Sequence, residues 1–132
     1  MQQEPSPAPS FKELLVQIVP DVGADVCASS SMECGKVGRV HQNDLIVFAT
    51  QVGENRIGCV ICFVSCNQIL RPGLLHYVCY ADFQQQGQLE WAEVHGDNRL
   101  VLASNVKMKL PYIQSRPSLV VPFLPDPLVL NA

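Results

Sequence analysis

Charge is scarce in this sequence. Asp, Glu, Lys and Arg make up 16% of its 132 residues, where soluble domains carry about 25%. Nine basic residues stand against twelve acidic ones, for a net charge of -3. Without a positive balance there is no global field to gather phosphates or anionic lipid, so nucleic acid is not the default partner. Long apolar runs are missing too: none approaches the roughly 20 residues that span a bilayer, so no membrane association is expected. The opening MQQEPSPAPS has neither the basic nor the apolar part of a signal peptide, which makes a soluble intracellular protein of cytoplasm or nucleus the expected setting. A Gly-x-x-x-x-Gly-Lys-Ser/Thr loop and a Gly-rich dinucleotide loop are absent. Cys34-Gly35-Lys36-Val37-Gly38 is only a glycine-bearing loop, so no phosphate-cradling chemistry and no cofactor are expected.

What the chain has in abundance is β-branched and apolar residues, at 48% hydrophobic content. The densest stretch, Asp44 to Cys66, holds two apolar runs, about 45–51 and 56–66, joined by the turn-like Val52-Gly53-Glu54-Asn55. Ile57, Cys59, Val60, Ile61, Cys62, Phe63 and Val64 leave no polar face, so this run reads as a core strand covered on both sides. Six cysteines form an even set, but Cys59, Cys62 and Cys79 sit among Val, Ile, Phe and Tyr. There a free thiol behaves as a small hydrophobe, and reduced, buried cysteines are expected ahead of disulfides.

Residues 1–9, with three prolines, read as a flexible leader. Ser10-Phe11-Lys12-Glu13 has the form of a capping box, and Phe11, Leu14, Leu15 and Ile18 follow at the spacing of one helical stripe until Pro20 ends it. The Gly, Ala, Ser and Asp content of 21–38 reads as a loop, with a short edge strand at Val37–Val40. Arg71-Pro72-Gly73 is a turn signal. In the strand that follows, Leu75, Tyr77, Cys79, Ala81 and Phe83 fall on one face, and His76, Val78, Tyr80 and Asp82 on the other. Leu89–Val94, Leu100–Ala103 and Val106–Leu110 read as further strands, the last two separated at Ser104-Asn105 and closed by Pro111. Residues 117–132 interleave prolines with Leu, Val and Phe, reading as an apolar, proline-rich arm laid along the domain or along another subunit.

The fold expected from this pattern is mainly β. It is a small β-barrel or sandwich of five to seven strands, with a short N-terminal amphipathic helix, a single domain over 10–116 and the arm over 117–132. The function expected is non-catalytic: an interaction or assembly module that binds a protein partner or another copy of itself. Its partner-binding candidates are Tyr77, Tyr80 and Trp91, whose rings could grip a peptide, and Phe123, Leu124 and Leu128 of the arm. Tyr77, Phe83 and Trp91 also share the apolar face and read equally as core.

Two rival readings come from other chemistry. Lys107 and Lys109, two apart on one strand, offer a small basic stripe for nucleic acid, although lysine on an edge strand is also a guard against aggregation. Cys59, Cys62, His76 and Cys79 carry the letters of a zinc site or a thiol enzyme. Residues three apart in a regular strand point to opposite faces, however, and Val and Ile stand where a zinc knuckle needs turn residues. A thiol buried among apolar side chains is a poor nucleophile.

Overall fold

The computed structural model describes residues 11–96 and 98–123. The Ser10 half of the capping box, the leader and the arm beyond Phe123 lie outside the described residues. Helix α1 (Phe11–Ile18) is followed by β1 (Val22–Ser29), β2 (Ser31–Glu33), a 3-10 turn at Gly35–Val37, β3 (Arg39–His41), β4 (Leu45–Ala49), β5 (Asn55–Gln68) and β6 (Leu74–Gln86). After these come β7 (Glu90–Glu93), β8 (Arg99–Leu102), a 3-10 turn at Ala103–Asn105, β9 (Val106–Leu110), β10 (Tyr112–Arg116) and β11 (Leu119–Pro122). The protein is mainly β, as the alternation required. No described helix is long and apolar enough to cross a membrane.

The long hairpin β5–β6 organises everything else. Its two strands pair antiparallel from Ile57–Phe83 to Asn67–Leu74, and each outer edge is shared by two partners. β4 and β1 take successive halves of β5, while β7 and β8 take successive halves of β6. The main path runs β10-β11-β7-β6-β5-β4-β9, with β2 and β3 forming a separate two-stranded sheet. No ladder joins β9 to β10, so the sheet is not a closed barrel. The two end strands are nevertheless consecutive in the chain, one on each side of Pro111.

A bulge between Val60 and Cys62 explains why β5 shows no polar face. An extra residue in one strand reverses the alternation beyond it. Val60 and Phe63 therefore share one core cluster, with Ile46, Phe48, Val78 and Tyr80, covered by Met32, Cys34, Val37 and Val40 of the β2–β3 region. The opposite face is divided in two. Ile57 and Phe83 pack with Leu45, Val47, Leu110 and Val120 at one end. At the other, Cys62, Val64, Cys66, Tyr77 and Cys79 pack under Leu15 of α1 and Val19 just beyond its end. The expectation of a core strand covered on both sides holds, and the faces of β6 are those its alternation indicated.

Three expectations need correction. Residues 21–38 are not a loop. β1 and β2 lie within them, because β5 outruns β4 and offers its remaining edge to a segment whose own composition is poor in β-formers. Gly23 belongs to this pairing, since a Cβ there would stand 2.2 Å from Asn67 Oδ1. Among the described residues the strands number eleven rather than five to seven. The boundary at 117 falls inside a hairpin: Leu119–Pro122 is a strand seated between β10 and β7. Pro117 lies in its turn and Pro122 at its end, two places where a missing N–H interrupts no ladder.

Candidate functional site: an apolar groove beside Tyr77 and Tyr80

Alternation sends Tyr77 and Tyr80 to opposite faces of β6. Each is 7% exposed, Tyr77 in the cluster under α1 and Tyr80 tilted against Phe48 with ring centroids 4.4 Å apart. Burial raises both phenol pKa values, so the rings are neutral. β8 lies beside this stretch of β6, pairing Tyr77 with Leu102 and Tyr80 with Arg99. Where β8, the end of α1 and the turn after β4 meet, a cavity of about 220 Å³ opens, lined by Ile18, Phe48, Tyr77, Tyr80, Leu100 and Leu102 among others. A second concavity of about 380 Å³ shares Ile18 and Tyr77 and continues to Leu70 and Leu75. The two adjoin at Ile18 and Tyr77 as a groove whose lining is largely apolar, with Asp21, Gln68 and Arg71 in the second part.

Its rim is unusually apolar for a surface. Ile18 is 47% exposed, Leu70 81% and Leu102 36%. Ile18 belongs by spacing to the helical stripe, but the stripe is buried only at Leu15, and Val19 takes the place in the core that Ile18 was expected to fill. Leu70 is held in position by the turn: its N–H donates to Asp21 Oδ2, and Ile69 N–H donates to Asp21 C=O. The Asp21 carboxyl pKa is lowered chiefly by that Leu70 hydrogen bond. Large apolar side chains presented together on a surface mark contact sites more often than scattered single ones.

Of the sequence candidates, only Tyr77 and Tyr80 are brought together here. Trp91 is half-buried against the Phe83 cluster. Phe123 is exposed beyond β11, where its N–H donates to Pro111 C=O. Leu124 and Leu128 lie outside the described residues. Sequence reading missed Ile18, Leu70, Leu100 and Leu102. A usable signal existed for Leu70, an apolar residue inside the turn that Arg71-Pro72-Gly73 announces.

The zinc and thiol candidates are not assembled. Cys59 and Cys62 do not face opposite sides as a regular strand would require, because the bulge returns them to one face, opposite Ala81 and Cys79. They still fall in separate clusters, with Cys59 beside Tyr112 and Cys62 under α1. His76 is on the other side of β6, sharing a 2.7 Å hydrogen bond with Ser65 Oγ. Among the described residues no three His, Cys, Asp or Glu side chains are grouped to hold a metal. Cys59 does line a polar concavity of about 440 Å³ with Gln42, Asn43 and Glu93. Burial, then Glu93 and Asp44, pushes its thiol up to about 11. Burial pushes Cys79 up to about 12. Both are protonated near neutrality, the wrong state for nucleophilic attack or metal ligation.

Lys107 and Lys109 are exposed on β9, an end strand of the sheet. Lys109 Nζ donates to Arg39 C=O at 2.9 Å, which ties β9 to β3. Comparison with known proteins adds no assignment: no family model, no curated protein and no solved structure matches the chain.

Proposed function

We propose that the chain is a non-catalytic interaction module that takes an apolar segment of a protein partner in the groove beside Tyr77 and Tyr80. The observation that carries this reading is the joining of two concavities through Ile18 and Tyr77 under an exposed apolar rim. Buried neutral phenols and aliphatic side chains suit an apolar peptide, whose burial contributes about 25 cal/mol per Å² of apolar surface. The six free thiols favour a reducing compartment, hence an intracellular setting. The covalent link through Pro111 between the two end strands supports reading the Phe83 half as an open barrel that serves as scaffold.

Selection from a random peptide library against the folded chain tests the reading. Enriched peptides should be rich in large apolar residues, and Ile18→Glu and Leu70→Glu should each weaken their binding about tenfold or more. Both substitutions sit on exposed side chains, so circular dichroism should be unchanged. Peptides that bind both variants as well as the parent would sink the proposal. So would selection of only acidic peptides that depend on Lys107 and Lys109, which would point to the basic stripe.

A further inference from the structure

We propose that the outer edge of β1 pairs antiparallel with the same strand of a second copy, in a register centred on Cys27. Four observations lead there. First, β1 is eight residues long, pairs only with β5, and no described strand lies on its other side. Second, its residues from Ala24 to Ser29 are exposed apart from the half-buried Val26, and Asp25 is the only charge among them. An edge strand normally carries lysine, proline or an inward charge to prevent pairing. β1 has none of these over 26–29, and its irregularity lies before Val26.

Third, the direction of the backbone groups and the extent of the regular strand together set the register. Asp25 N–H turns inward, donating to Asn67 Oδ1 of β5. Alternation then turns the N–H and C=O of Val26 and Ala28 outward and those of Cys27 inward. In a two-fold antiparallel pair, outward groups must meet outward groups, which any register centred on a residue satisfies. The irregularity before Val26 and the end of the strand at Ser29 leave the one centred on Cys27 as the longest regular overlap, with Val26 opposite the partner's Ala28. Fourth, that register places Asp25 opposite Ser29 of the second copy, so no like charges face each other. A register centred on Asp25 would oppose two carboxylates.

The consequence is specific. The central Cys27 pair occupies a non-hydrogen-bonded site, where Cα atoms are about 4.5 Å apart, inside the roughly 4.4–6.8 Å range a disulfide needs. Cys27 is also the only exposed cysteine, so in the folded chain it reports on the pairing ahead of the core thiols.

This inference rests on reading the chain as an interaction module, and its test is separate from the groove's. Light scattering behind size exclusion on the full chain, over a concentration series, should show a dimer. Adding the diazene diamide, which accepts two electrons and two protons from two thiols and becomes the hydrazine, should give a disulfide-linked dimer. Cys27→Ser should abolish that product. Ala28→Pro removes an outward N–H without touching the β5 ladder, and should yield a folded monomer. If that variant fails to fold, crosslinking of the parent chain decides.

A monomer at all concentrations, or a dimer that diamide does not link, overturns the inference. A dimer that survives Ala28→Pro but is lost in Leu70→Glu also overturns it, and places self-association in the groove. A monomer leaves the groove to be judged by its own peptide selection.

Discussion

At the scale of single residues, the buried carboxylate of Asp82 is answered on one side only. Asp82 is 4% exposed, and Arg56 bonds one of its carboxylate oxygens, while Oδ1 is buried with no hydrogen-bond partner among the described residues. Removing the arginine would leave an uncompensated buried charge, an arrangement that costs far more than a surface pair. The thiols have the opposite character. Cys59 and Cys79 are held up at about 11 and about 12, above their ordinary 9.0, first of all by burial. The folded chain thus binds these protons more tightly than the unfolded chain. Their contribution to stability is complete below about pH 9 and is lost as pH rises through the folded values. Denaturant midpoints should therefore fall between pH 9 and pH 11, and the fall should be shallower in Cys79→Val. A midpoint unchanged over that interval would mean that the thiols titrate normally.

At the scale of elements, the β5–β6 hairpin works because one position on it is empty. Gly58 lies opposite Asp82, and a Cβ there would stand 2.7 Å from Tyr80 Cδ2 and 3.1 Å from Phe48 Cε1. The missing side chain is what admits the Phe48–Tyr80 contact and closes one wall of the groove. Gly58→Ala should cost about 1–3 kcal/mol through overpacking, seen as a lower denaturant midpoint, and should weaken groove binding at the same time. A variant as stable as the parent would show that the two rings give way freely. Glycine in a strand interior often marks such a close approach, so the sequence carried this hint, but the rings it serves lie 10 and 22 positions away.

At the scale of the whole molecule, the C-terminal hairpin shows how far composition can mislead. Pro117, Pro122 and their apolar neighbours look like an arm laid on a finished domain. The structure instead inserts Leu119–Pro122 between β10 and β7, with Val120 5% exposed in the core shared with Leu45, Ile57 and Phe83. Truncation before Pro117 should therefore uncover that core and leave β10 without a partner. The expected product is an aggregating or unfolded chain, recognised by loss of cooperative thermal melting. A truncated chain that melted as the parent does would return the segment to the status of an appendage.

Much of the fold was written locally. The N-terminal helix, the turn at Val52–Asn55, the two faces of β6, the pause at Ser104-Asn105 and the burial of Cys62 and Cys79 all follow from periodicity and turn chemistry, which act over a few residues. What sequence alone could not determine was every feature that depends on a distant partner. β1 forms because β5 has spare edge, the bulge reverses a face that strict alternation would have assigned the other way, and β11 is a strand because β7 needs a neighbour. The groove belongs to this second class. Tyr77 and Tyr80 were legible as residues of interest, but Ile18, Leu70 and Leu102 join them only when the helix end, a turn and β8 converge. The physical reason is that side-chain periodicity is a property of one segment, whereas an exposed apolar surface is what remains after all segments have chosen what to bury.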